Sequence, residues 1–80
     1  MKARVMVRLK DGVLDPQGKA VLHAAESLGC RGIEDVRVGK VFEVDMGKLD
    51  KAKARDILET LSSKLLANTV IENFEVEILE

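Results

Sequence analysis

Aromatic side chains are scarce in this 80-residue chain: Phe42 and Phe74 are the only two, with no Trp and no Tyr. Modules that stack nucleic-acid bases or cage organic cations depend on several exposed rings, so the scarcity argues against both. Cysteine is limited to Cys30, which excludes an internal disulfide and the paired thiols of a Cys-x-x-Cys site. Histidine is limited to His23, and one imidazole with no second His, Cys pair or neighbouring Ser nucleophile makes neither a metal site nor a catalytic triad. No apolar run approaches the roughly 20 residues that cross a bilayer, and no secretion signal opens the chain, which together point to a cytoplasmic protein with no membrane partner. An excess of one charge is lacking too: 13 basic residues stand against 14 acidic ones, a net charge of −1 that sets up no field to attract nucleic acid.

What is present is aliphatic. Hydrophobic residues make up 46% of the chain, ordinary for a folded protein, so the expected core is Val, Leu, Ile, Ala and Met. The length suffices for a single domain over residues 1–80, with no linker or low-complexity stretch. A domain of that size buries only about 60% of the surface its unfolded chain exposes, and association with partners would add to a thin margin of stability.

Residues 3–9 alternate, with Ala3, Val5, Val7 and Leu9 on one side and Arg4, Met6 and Arg8 on the other, the pattern of a half-buried strand. Asp11-Gly12 ends it. Asp15-Pro16 then gives an N-cap carboxylate followed by Pro at the first helical position, where its missing N–H removes no hydrogen bond. The spacing of Val21, Leu22, Ala25 and Leu28 predicts a helix from Pro16 to Leu28, closed by Gly29. A second β region runs from Ile33 to Met46 around Gly39-Lys40. A two-residue turn there would set Val36 against Glu43, whereas a bulge at Gly39 to Val41 puts Val36 and Val38 on one buried face with Phe42 and Val44, so a bulged hairpin is expected. Asp50 caps a second helix that ends near Asn68, with Ala54, Ile57, Leu58, Leu61 and Leu65 as its buried stripe. The last strand, Phe74 to Leu79, should bury Phe74, Val76 and Ile78 and expose Glu75 and Glu77. The order βαββαβ is the split-βαβ, ferredoxin-like α+β arrangement, an antiparallel sheet with two helices on one face. In it the first and last strands are neighbours, which sets Arg4 and Arg8 beside Glu75 and Glu77.

No pair of carboxylates has a sequence reason to be buried. Glu34, Asp35, Glu43, Asp45, Glu72, Glu75, Glu77 and Glu80 fall on strands or at ends, where charge is solvated, and an unburied pair has no shifted pKa for acid–base work. Between the first strand and helix, where phosphate loops sit, the chain reads Lys10-Asp11-Gly12-Val13-Leu14-Asp15-Pro16-Gln17-Gly18. That stretch lacks both the dinucleotide fingerprint and the Gly-Lys-Ser/Thr of a P-loop. His23 is expected at a partly exposed position beside the helical stripe, and Cys30 as an incidental thiol. The residues therefore indicate no catalytic, cofactor or metal site in this chain.

Three segments, taken together, resemble a known family: Val-Arg-Leu-Lys-Asp-Gly-Val-Leu-Asp-Pro-Gln-Gly-Lys-Ala-Val (Val7 to Val21), Asp-Val-Arg-Val-Gly-Lys (Asp35 to Lys40) and Lys-Leu-Leu-Ala-Asn-Thr-Val-Ile-Glu (Lys64 to Glu72). The likeness is to PurS, the small subunit of phosphoribosylformylglycinamidine synthase, and covers essentially the whole chain outside residues 47–53. The resemblance implies a place in de novo purine synthesis. In such complexes a glutaminase subunit (PurQ) releases ammonia from glutamine, and a synthetase subunit (PurL) uses ATP and Mg to join it to formylglycinamide ribonucleotide, giving the amidine. The small subunit has no known catalytic residue; it dimerises, bridges the two enzymes and assists the passage of ammonia, inert alone although part of a ligase. A stand-alone sensor of the ACT type, binding an amino acid at helix N-termini, is the alternative on the same topology.

On this reading the functional residues are interface residues. Gln17 and Gly18 are the least explained by local structure, since Gly in a first helical turn costs up to about 1 kcal/mol relative to Ala, and a close backbone approach by a partner would account for it. Arg37 and Lys40, beside the expected bulge, are solvated charges or rim contacts. Leu66, Val70 and Ile71 are apolar residues left over once the second helix's stripe is assigned, the mark of a partner surface and of a homodimer or higher oligomer.

Overall fold

The computed structural model describes residues 1–79; Glu80 lies outside the described residues. Three strands, β1 (Lys2–Leu9), β2 (Gly39–Asp45) and β3 (Glu72–Leu79), form an antiparallel sheet of order β2-β1-β3, and two helices, α1 (Pro16–Ser27) and α2 (Lys51–Leu61), complete the α+β fold. The first strand lies at the centre, and Ala3, Val5 and Val7 are all buried, while their neighbours point the other way. Val5 stands opposite Phe42 on β2 and Val76 on β3, and Ala3 stands opposite Val44 and Ile78. Leu58 of α2 closes this face of the sheet as a fully buried side chain, with Phe42, Val44, Phe74, Val76 and Ile78 packed around the same cluster. Burying one Leu side chain contributes about 1.5–3 kcal/mol, so α2 is held by a few strong contacts.

The other face of the sheet is polar. Arg4 stands opposite Glu43 on one side and Glu77 on the other, and Arg8 reaches Glu75 diagonally at 3.3 Å. The first and last strands are neighbours, in agreement with the charge pairing read from the sequence.

Two local expectations differ. Residues 33–38, read as the first arm of a bulged hairpin, take no place in the sheet, and β2 begins at Gly39. The cause lies in two carboxylates: the Val36 N–H donates to Asp35 at 2.9 Å and the Val38 N–H to Asp15 at 2.8 Å, so donors needed for a strand ladder are already engaged. The second difference is the stripe of α2. Ala54 and Leu58 are buried, but Ile57 is 49% and Leu65 73% exposed. After Leu61 the helix widens into a π turn, Ser62–Leu66, closed by the Ala67 N–H donating to the Ser62 carbonyl at 2.8 Å. The extra residue in that turn rotates the stripe, so Leu66 and Ala67 face the core where a continuous α-helix would have placed Leu65.

The N-terminal helix follows its sequence signals closely. Asp15 caps it, Pro16 is its first residue, and Gly29 turns the chain after the Leu28 cap with φ +84°, a conformation that suits Gly alone. Yet α1 makes only sparse contact with the sheet, and Gly18 is its one buried residue. The chain measures 48 × 27 × 15 Å with a radius of gyration of 15.9 Å, against about 12 Å for a compact chain of this length. It is a sheet-and-helix body with an arm. Among the described residues no helix is long and apolar enough to cross a membrane.

Candidate partner-binding surface

The joint between arm and body is built on Asp15. Its Oδ1 accepts the Gly18 N–H at 2.9 Å, as an N-cap should, and its Oδ2 accepts the Val38 N–H at 2.8 Å from a segment far along the chain. The Arg37 guanidinium stands 3.6 Å from the same oxygen and donates to the carbonyls of Lys10 and Val13, each at 3.3 Å. The two backbone donors, from Val38 first and Gly18 next, hold the Asp15 carboxyl below its ordinary pKa against its burial, with the Arg37 charge and the Gln17 N–H adding to the effect. A carboxylate so engaged is a poor base; its chemistry here is to fasten two segments together.

Gly18 completes the joint. A Cβ at this position would overlap the Val36 carbonyl oxygen, so the close backbone approach inferred from the sequence is met inside the chain. Gln17, one residue earlier, is exposed and lines a cleft of about 250 Å³ together with Asp15, Gly39, Lys40 and Glu72. Lys40 stands 3.9 Å from Glu72 and lies over the Phe42 ring at 5.9 Å. Glu72 in turn accepts the Asn68 N–H at 2.7 Å, and the Glu72 N–H donates to the Asn68 carbonyl at 2.7 Å. That tight loop turns Val70 outward, 80% exposed, with Ile71 beside it.

The structure therefore gathers most of the residues singled out from the sequence at one end of the sheet. Gln17 and Lys40 share the cleft, Gly18 and Arg37 form the joint next to it, and Val70 and Ile71 flank Glu72. Leu66 differs: it packs against the core cluster, because the π turn swings it inward. Glu72 and the second role of Asp15 were missed by sequence reasoning. The Asp-Pro signal accounts for a helix cap alone, and nothing in the spacing shows that residue 38 returns to it. His23 and Cys30 are both exposed, on and just after the arm.

Two apolar helix faces are uncovered. On the arm, Val21 of α1 is half exposed and Leu28, the residue capping it, is 83% exposed; Ile57 of α2 and Leu65 of the π turn are exposed too. An arm that leaves its apolar stripe open to water is stable when a second surface covers the stripe.

The family model described as PurS, phosphoribosylformylglycinamidine (FGAM) synthase, matches residues 2–80. Phosphoribosylformylglycinamidine synthase subunit PurS of Bacillus subtilis is 46% identical over 99% of this chain and 93% of its own length. The solved B. subtilis PurS structure superposes with a TM-score of 0.87 at 44% identity, covering 99% of this chain and 98% of that one. A chain in the structure of PurLQS from Thermotoga maritima superposes with a TM-score of 0.88 at 27% identity, covering 98% of this chain and 95% of that one.

Proposed function

The chain belongs to the PurS family, subunits of phosphoribosylformylglycinamidine synthase in purine biosynthesis, and we propose that it serves there as the non-catalytic bridge between glutaminase and synthetase subunits. On this reading ammonia released from glutamine by the glutaminase subunit (PurQ) reaches the synthetase subunit (PurL) with the help of this chain. ATP and Mg are used by the synthetase, and formylglycinamide ribonucleotide becomes the amidine there. The complex is cytoplasmic. The observation that carries the proposal is the match to a chain of the PurLQS assembly, 98% of this chain at a TM-score of 0.88.

The geometry supports a binding role. The buried carboxylate of Asp15 is committed to backbone donors, and the residues gathered at the end of the sheet offer a polar cleft beside an exposed apolar loop, the mixture of anchor and rim found at interfaces. The uncovered stripes on α1 and α2 support association of the chain with itself as a homodimer or higher oligomer. Native mass spectrometry of this chain mixed with the glutaminase and synthetase subunits, with glutamine and ATP present, tests both points. The expected result is one assembly containing all three subunits and at least a pair of copies of this chain; separate masses for the three proteins would overturn it.

A further inference from the structure

The arm is tied to the body by two connectors, residues 10–15 before α1 and residues 28–38 after it. Among the described residues, the polar contacts that cross from one connector to the other all involve Asp15 or Arg37: Val38 N–H to Asp15 at 2.8 Å, Arg37 to Asp15 at 3.6 Å, and Arg37 to the Lys10 and Val13 carbonyls at 3.3 Å. Gly18 brings the first turn of α1 against the Val36 carbonyl at the same place. Apolar packing does little to orient the helix, because α1 has only sparse contacts elsewhere and its Val21 and Leu28 face water. Asp15 is also 6% exposed, and hydrogen bonds to a buried charged group are among the stronger ones in a fold.

We propose that Asp15 and Arg37 form a joint that sets the direction of α1 relative to the sheet, so that loss of the carboxylate frees the arm to swing while the helix and the sheet both stay folded. The two side chains are positioning residues. Their effect reaches the apolar stripe of α1 through the angle at which that stripe is presented, since a rigid arm meets a partner surface at a fixed geometry and a loose one loses that pre-organisation. The proposal concerns the chain by itself and stands apart from the subunit role.

Cys30, the single and exposed cysteine just past α1, provides a natural label site. A second label at Glu43→Cys on the exposed face of β2 gives an arm-to-sheet distance by pulsed dipolar electron paramagnetic resonance, measured at a concentration where the chain is monomeric so that no second copy holds the arm. The expected result is a narrow distribution with Asp15 intact and about a twofold widening in Asp15→Asn, with far-UV circular dichroism unchanged. A distribution in Asp15→Asn that superposes on the parent overturns the proposal. Should Asp15→Asn fail to fold, Arg37→Gln decides: it keeps both backbone donors on Asp15 and removes the ties to Lys10 and Val13, and an unwidened distribution there overturns the proposal equally.

Discussion

The backbone N–H of Val38 donates to the Asp15 carboxylate at 2.8 Å, across 23 residues of sequence. The same carboxylate caps α1 through the Gly18 N–H, and by the Val38 bond it removes a donor from a would-be strand. Its consequences for pH have a definite sign. Asp15 has its pKa lowered in the folded chain by the Val38 and Gly18 donors and by Arg37, so the unfolded chain binds the proton more tightly than the folded one. The stabilisation is fully present above the unfolded pKa, near 3.9, and is lost as pH falls through the lower folded value. Chemical denaturation of the parent and of Asp15→Asn should show the parent more stable at neutral pH and the gap closing under acid. A gap that stays constant down to the acid limb would contradict the assigned bonds.

The π turn predicts which leucine matters for the fold. Leu58 is fully buried and Leu65 is 73% exposed, although an unbroken helix would bury both. Leu58→Ala should lower stability by about 2–5 kcal/mol, whereas Leu65→Ala should change the monomer's stability by about 0.5 kcal/mol or less. Urea titrations of the two variants at a concentration where the chain is monomeric make the comparison; equal losses would mean that α2 runs on without the bulge.

Charges on the outer face of the sheet are predicted to couple weakly. Arg8 and Glu75 are 3.3 Å apart, yet both side chains are mostly exposed, so the pair contributes about 0.2–1 kcal/mol and is screened by salt. A double-mutant cycle of Arg8→Gln and Glu75→Gln should return a coupling of about that size at low ionic strength, shrinking in molar salt. Strict additivity at low salt would mean that the two side chains do not interact.

Much of this fold is legible in the sequence because its strongest signals are local. The alternation of Ala3, Val5 and Val7, the Asp15-Pro16 cap and the Gly29 stop each depend on near neighbours, and each appears where the spacing puts it. Residues 33–38 were misread for the opposite reason. Val36 and Val38 have the alternation of a strand, but their N–H groups are engaged by Asp35 and Asp15, and the second of those partners is visible only in three dimensions. The α2 stripe failed at Leu65 because one added residue in a π turn shifts every later position, and no residue type marks such a turn. At the candidate surface, Gly18 was read as approached by a partner's backbone, whereas in the structure it is buried against the chain's own Val36 carbonyl.

The proposed role, coupling two enzymes without catalysing either reaction, is put to the test by comparing two nitrogen sources. Amidine formation by the synthetase subunit is measured with glutamine plus the glutaminase subunit, and separately with ammonium salt, each in the presence and absence of this chain. Omitting the chain should abolish the glutamine-dependent rate and leave the ammonia-dependent rate in place. A glutamine-dependent rate that is undiminished without the chain would contradict it.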